Sequence, residues 1–178
     1  LMAVYKLFWD DFCAWYLEMV KPAYGAGIDV ATYGATIGFF DSLLKLLHPF
    51  MPFITEELWQ NLEERKAGET IMLQNAPACG EYETELLQQF EDASQIVMNV
   101  RNIRQTKGIS PKDALSLFAK EPYNAAMDAV IKKLANISEI NVVAAFDTQA
   151  QGVNFMIRTS EFFVPLAEHI NVEEEVAK

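Results

Sequence analysis

The sequence predicts an α+β chain, mainly α: an antiparallel helical bundle followed by a small α+β module. Three observations predict it. Apolar residues recur at three- and four-residue spacing through four stretches of residues 1–108. The connections between those stretches are short, and each stretch carries one apolar face, as helices of an antiparallel bundle do. After Pro111 the period changes, and short alternating or β-branched segments flank one further helical segment. The expected divisions are a bundle at 1–108, an α+β module at 109–171 and the first turns of another helix at 172–178.

The first helix carries Tyr5, Phe8, Phe12, Trp15, Tyr16, Met19 and Val20, and it ends at Lys21-Pro22. It opens with no capping residue, so sequence is expected before Leu1. Asp29 is placed to cap a second helix reaching His48, with Tyr33, Ile37, Phe40, Leu44 and Leu47 on one face. Pro49 and Pro52 then force a bend, because proline lacks an N–H and restricts the residue before it. Phe50, Met51, Phe53 and Ile54 fill that corner, and a corner so apolar is expected to be buried. Thr55 is expected to cap a third helix over 55–65, with Glu56 and Glu57 at its positive end and Leu58, Trp59 and Leu62 inward.

Ile71, Met72 and Leu73 read as a short extended piece. The fourth helix is the longest, over 83–106, with a stripe of Leu86, Phe90, Ala93, Val97 and Val100. Gly108 ends it and Ser110-Pro111 prevents its continuation. A strand is expected at 114–118, a helix from Pro122 to Ala135, and strands at 140–146, 153–157 and 162–166. Ala126, Val130, Ile131 and Leu134 are the inward residues of that helix. Asn171-Val172-Glu173-Glu174 has the form of a capping box, so a last helix begins there and is expected to continue past Lys178.

Composition narrows the function classes. The chain is 178 residues long and 51% hydrophobic without a long apolar run, which excludes a helical membrane span. Lys6, Asp10, Asp11 and Glu18 interrupt the first twenty residues, so they are no signal peptide. Cys13 and Cys79 have no metal-ligand spacing and fit a reducing compartment, the cytoplasm. The net charge of −11 weighs against a general polyanion binder. Charge is nevertheless uneven: residues 93–112 hold Arg101, Arg104, Lys107 and Lys112 and no acid. That basic island is the place for an RNA-facing surface.

The string His-Pro-Phe-Met-Pro-Phe-Ile-Thr-Glu-Glu-Leu-Trp at 48–59 resembles the signature in the anticodon-binding helical domain of class I aminoacyl-tRNA synthetases of the valine, isoleucine and leucine group. Phe12-Cys13-Ala14-Trp15-Tyr16-Leu17-Glu18, followed by Lys21-Pro22, is similar to the first bundle helix of the valine branch in particular. Residues 100–111 resemble the group's Arg-Asn-x-Arg…Ile-Ser-Pro segment at the end of the last bundle helix. Pro165-Leu166-Ala167 and Ile170-Asn171-Val172-Glu173 are similar to the valine branch just before its C-terminal coiled-coil arm.

The resemblance implies a bundle of the synthetase anticodon-binding type and the start of a truncated coiled-coil arm at 172–178. It implies a fragment of a valine–tRNA ligase, with tRNA for valine as partner and ATP and magnesium used in domains absent here. The two synthetase signatures that bind ATP are missing, so the fragment itself holds no catalytic residue and needs no cofactor or metal. Neither DNA nor a membrane is expected as a partner, and the fragment is expected to be a monomer. Two alternatives stay open: the equivalent domain of the isoleucine branch, and a helical protein–protein adaptor with no RNA role, which the acidic charge favours.

Candidate tRNA-binding residues are Arg101, Asn102, Arg104, Gln105, Lys107 and Lys112. Arginine forks suit phosphate and guanine, and amides suit base edges, which unstacked anticodon bases expose. Arg101 and Arg104 lie on or near the apolar stripe. There they suit equally a pairing with Asp10, Asp11 or Glu57, or a helix C-terminus. Lys107 lies past the stripe and reads as an exposed phosphate contact. His48 reads as a helix-end histidine bonding a carbonyl, and Trp9 and Trp15 as core residues. His169 has no partner at ligand spacing, and Glu173, Glu174 and Glu175 read as a solvated first turn.

Overall fold

The computed structural model describes residues 1–146 and 151–166. It is an α+β chain with a four-stranded mixed sheet. Cα packing divides it into two compact units, Leu1–Glu81 and Tyr82–Lys178. The anticipated bundle grouped the long fourth helix with the first three. That helix instead packs within the second unit, where its apolar side chains meet the sheet and the short helix after it. The expected helix at 172–178, His169 and the acids 173–175 lie outside the described residues.

In the first unit, α1 (Met2–Lys6), a π-helical stretch (Leu7–Tyr16) and α2 (Leu17–Val20) run on as one helix. The π-helical turns were not anticipated from residue spacing. Phe8, Phe12 and Tyr16 stack along it, with ring centroids 6.3 and 5.5 Å apart. Phe40 of α3 (Val30–Leu47) lies 6.0 Å from Phe12, and the Tyr16 hydroxyl meets Thr36 Oγ1 at 3.0 Å. Trp9 is not a core residue as expected: it is 58% exposed and stacks on Tyr5. The Asp29 carboxylate caps α3 by accepting the Thr32 N–H at 2.9 Å, as its position predicts.

The bend at His48-Pro49 leads into α4 (Pro52–Leu62), which starts three residues before the expected Thr55. Pro52 occupies the first turn, where its missing N–H costs nothing. Thr55 is therefore inside the helix and buried, not a cap. Its hydroxyl donates to the Met51 carbonyl at 2.8 Å and meets His48 Nδ1 at 2.7 Å. His48 thus bonds a hydroxyl, not the carbonyl anticipated. The apolar corner is not covered as expected: Phe50, Met51, Ile54 and Leu58 are exposed, and Phe53 is 90% exposed.

Trp59 is buried with Leu44 and Ile71, beside Phe40 and Leu62. Its indole N–H donates to Asp41 at 2.7 Å, and the Arg65 guanidinium sits 3.7 Å over its ring. Residues Ile71–Leu73 form a 3-10 turn and not the extended piece expected. Glu56 clasps that turn: it accepts from Gln60 at 2.7 Å, from the Thr70 hydroxyl at 2.6 Å and from the Ile71 N–H at 3.2 Å.

In the second unit, α5 (Thr84–Lys107) buries Ala93, Ile96, Val97, Val100, Ile103 and Arg104, a helical period. Leu86, placed on the stripe by spacing, is exposed. The helix ends at Gly108 with φ +68°, and the Ile109 N–H returns to the Arg104 carbonyl at 2.9 Å, a left-handed C-terminal cap.

The sheet order is β2 (Ile137–Val143), β1 (Leu115–Lys120), β4 (Ser160–Pro165), β3 (Gly152–Ile157). Strand β1 (Leu115–Lys120) buries Leu115, Leu117 and Ala119 on one face. It runs parallel to β2 (Ile137–Val143), reached through α6 (Asp128–Ala135). The expected helix from Pro122 starts at Asp128 instead, after a 3-10 turn at Ala125–Met127 that leaves Ala126 exposed. The expected strand at 140–146 begins at Ile137, because the chain re-enters the sheet directly from Asn136. Strands β3 (Gly152–Ile157) and β4 (Ser160–Pro165) form a hairpin, and β4 lies antiparallel to β1. Gly152 allows that pairing, since a Cβ there would come within 2.3 Å of the Phe163 ring. No helix among the described residues is long and apolar enough to cross a membrane.

Candidate nucleic-acid interface

The last two turns of α5, the loop after it and the turn between α6 and β2 enclose an open cleft of about 540 Å³. Arg101, Arg104 and Gln105 line it from the helix, Gly108, Ile109 and Pro111 from the loop, and Leu134, Ala135 and Asn136 from the turn. The structure therefore brings three of the six predicted residues to one place. Asn102, Lys107 and Lys112 are not on the cleft wall. Asn102 and Lys112 are exposed and Lys107 is half-buried.

The two arginines have separate environments. Arg101 is exposed and donates to the Leu134 carbonyl at 3.0 Å. Arg104 is only 5% exposed. One of its terminal nitrogens donates to the Ser110 and Asp113 carbonyls at 3.0 and 2.7 Å, and the other to the Ala135 and Asn136 carbonyls, both at 3.0 Å. Both arginines serve a helix C-terminus, that of α6 and not of α5. A cation is favoured there by the free carbonyls and the negative end of the helix dipole. Burial pushes the Arg104 guanidinium below its ordinary range, and the Asp113 carboxylate partly offsets that. Its Nε is buried without a partner among the described residues.

Asn136 is a residue of this site that sequence reasoning missed. It sits at φ +52°, left-handed, where asparagine is tolerated, and it ends α6. Its side-chain amide donates to the Pro111 carbonyl at 2.9 Å and to the Asp113 carbonyl at 3.3 Å. The signal was present in the sequence, since an asparagine after an amphipathic run is a helix-stop pattern. Its partners on the other loop were not legible. Among the described residues no three His, Cys, Asp or Glu side chains gather where a metal ion could be held.

Residues 1–119 match the family model for the anticodon-binding domain of tRNA ligase. Across all 178 residues the chain is 55% identical to a valine–tRNA ligase of Parabacteroides distasonis and 51% identical to one of Porphyromonas gingivalis. It is 41% identical to a valine–tRNA ligase of Christiangramia forsetii over 180 aligned residues. In each case it spans 20% of the relative's length. With residues 1–119 inside that model, the chain belongs to the family of anticodon-binding domains of tRNA ligases.

Proposed function

We propose that this chain is the anticodon-binding part of a valine–tRNA ligase. It holds the anticodon stem and loop of valine tRNA while regions outside this chain attach valine, using ATP and magnesium. The carrying observation is that the relatives quoted are valine–tRNA ligases that match the chain from end to end. That favours the valine reading over the isoleucine one, and an RNA role over a plain adaptor. In this reading the chain works as a monomer in the cytoplasm.

The contact surface in this reading is the end of α5. Arg101, Asn102 and Gln105 meet anticodon bases or their phosphates, and Lys107 and Lys112 meet the backbone. What supports it is the exposure of Arg101, Asn102, Gln105 and Lys112 on the one acid-free basic stretch of an acidic chain. Recognition then combines counterion release at phosphates with pairing-edge contacts at unstacked bases.

The test is a titration of this chain with valine tRNA and with a copy altered in the anticodon, at two salt concentrations. Tighter binding to the unaltered tRNA is expected, with the preference kept while both affinities fall with salt. Equal affinities at both salts overturn anticodon reading, and no binding overturns the RNA role of the chain.

A further inference from the structure

We infer that Arg104 is a positioning residue: it fixes the loop that carries Lys112 and so sets the shape of the RNA-facing cleft, without itself touching RNA. The inference rests on the tRNA-binding reading above and deepens it. Four of the five guanidinium N–H groups are committed to carbonyls from two loops. Ser110 and Asp113 bracket the loop after α5, and Ala135 and Asn136 form the turn that enters β2. A rigid planar fork can hold four acceptors at once, which a lysine ammonium on a flexible stem cannot.

The loop is held at each residue around Lys112. The Ser110 carbonyl is held by Arg104, the Pro111 carbonyl by Asn136, and the Asp113 carbonyl by both. The Lys112 N–H donates to the Ser110 hydroxyl at 3.2 Å. Lys112 therefore stands on a backbone tied on both sides, with its side chain exposed. Arg101 belongs to the same arrangement through the Leu134 carbonyl, one residue before Ala135. A buried guanidinium is costly to desolvate, and all its bonds among the described residues go to neutral carbonyls. Its return is geometric: two loops more than twenty residues apart in sequence are clamped into one cleft wall.

The experiment is a double-mutant cycle on the whole chain. Arg104→Lys, Lys112→Gln and the double variant are titrated with valine tRNA, and amide hydrogen exchange is followed without RNA. Asn136→Gly, which keeps the left-handed backbone and removes the amide ties, is the second route should Arg104→Lys fail to fold. In the Arg104→Lys or Asn136→Gly background, exchange is expected to rise at residues 109–113 and to stay unchanged in the middle of α5. Lys112→Gln is expected to weaken binding severalfold in the wild-type background and to have no further effect in either variant. Additive losses, or unchanged exchange at 109–113, overturn the positioning role while leaving tRNA binding standing. Absence of binding by the wild-type chain overturns the functional reading, and this inference with it.

Discussion

Thr55 shows how one hydroxyl can anchor a bend. It donates to the Met51 carbonyl and meets His48 Nδ1, so it closes the turn between α3 and α4 from inside. Thr55→Val keeps the volume and removes both bonds. The half-buried His48 ring then loses its hydroxyl partner, while the Met51 carbonyl keeps the backbone N–H of residue 55, at a cost of roughly 1 kcal/mol. Urea denaturation should show that loss, and a change below about 0.5 kcal/mol, the range of ordinary surface substitutions, would remove the hydroxyl from the bend. The threonine was legible as a helix-start residue, because it precedes two acids. Its actual place was not, because Pro52 already supplies the helix start three residues earlier. The same limit applied to Arg104. Spacing gave its stripe position, and only the structure gave its acceptors, which are carbonyls and carry no residue-type signal.

At the scale of elements, α4 and the 3-10 turn at Ile71–Leu73 are joined through Glu56. Hydrogen bonds from Gln60, then from Thr70 and the Ile71 N–H, hold its carboxyl below the ordinary 4.5, with the charge of His48 adding to them and burial opposing. A carboxyl depressed in the folded state contributes stability that is fully present above 4.5 and lost as pH falls through the lower folded value. The melting temperature should therefore decline on acidification below that point, and Glu56→Gln should flatten this part of the profile. An identical profile in the variant would assign the acid sensitivity to other groups.

Long, strongly periodic elements were the legible ones. The helices α3 and α5 and the alternating strands β1 and β3 fall within a few residues of their expected places. The short ones at 71–73 and 125–127 were not, since three residues carry no period. The π-helical stretch was missed for a related reason: its aromatic residues at four-residue spacing fit an α-helix equally well.

For the whole molecule, charge decides how far RNA binding can be general. A chain of net charge −11 repels a polyanion over most of its surface, so attraction is confined to the acid-free stretch at 93–112. Lys107→Glu should weaken tRNA binding at low salt. If one phosphate contact is lost, the slope of log affinity against log salt should fall by roughly 0.7, as for single-stranded nucleic acid. An unchanged slope would remove Lys107 from the interface. The basic stretch itself was plain in the sequence, whereas the cleft beside it depends on a turn about thirty residues further on.

The clamp at Arg104 also bears on where such a chain can be divided. The family match ends at residue 119, inside β1. A piece cut there would keep Ser110 and Asp113 but discard Ala135 and Asn136, and with them two of the four acceptors of a buried guanidinium. It would also leave β1 with neither of its neighbours, β2 and β4. The end of the family match is thus not a boundary of folding. The helix that presents the basic stretch is completed only by the residues that follow it, as far as β4.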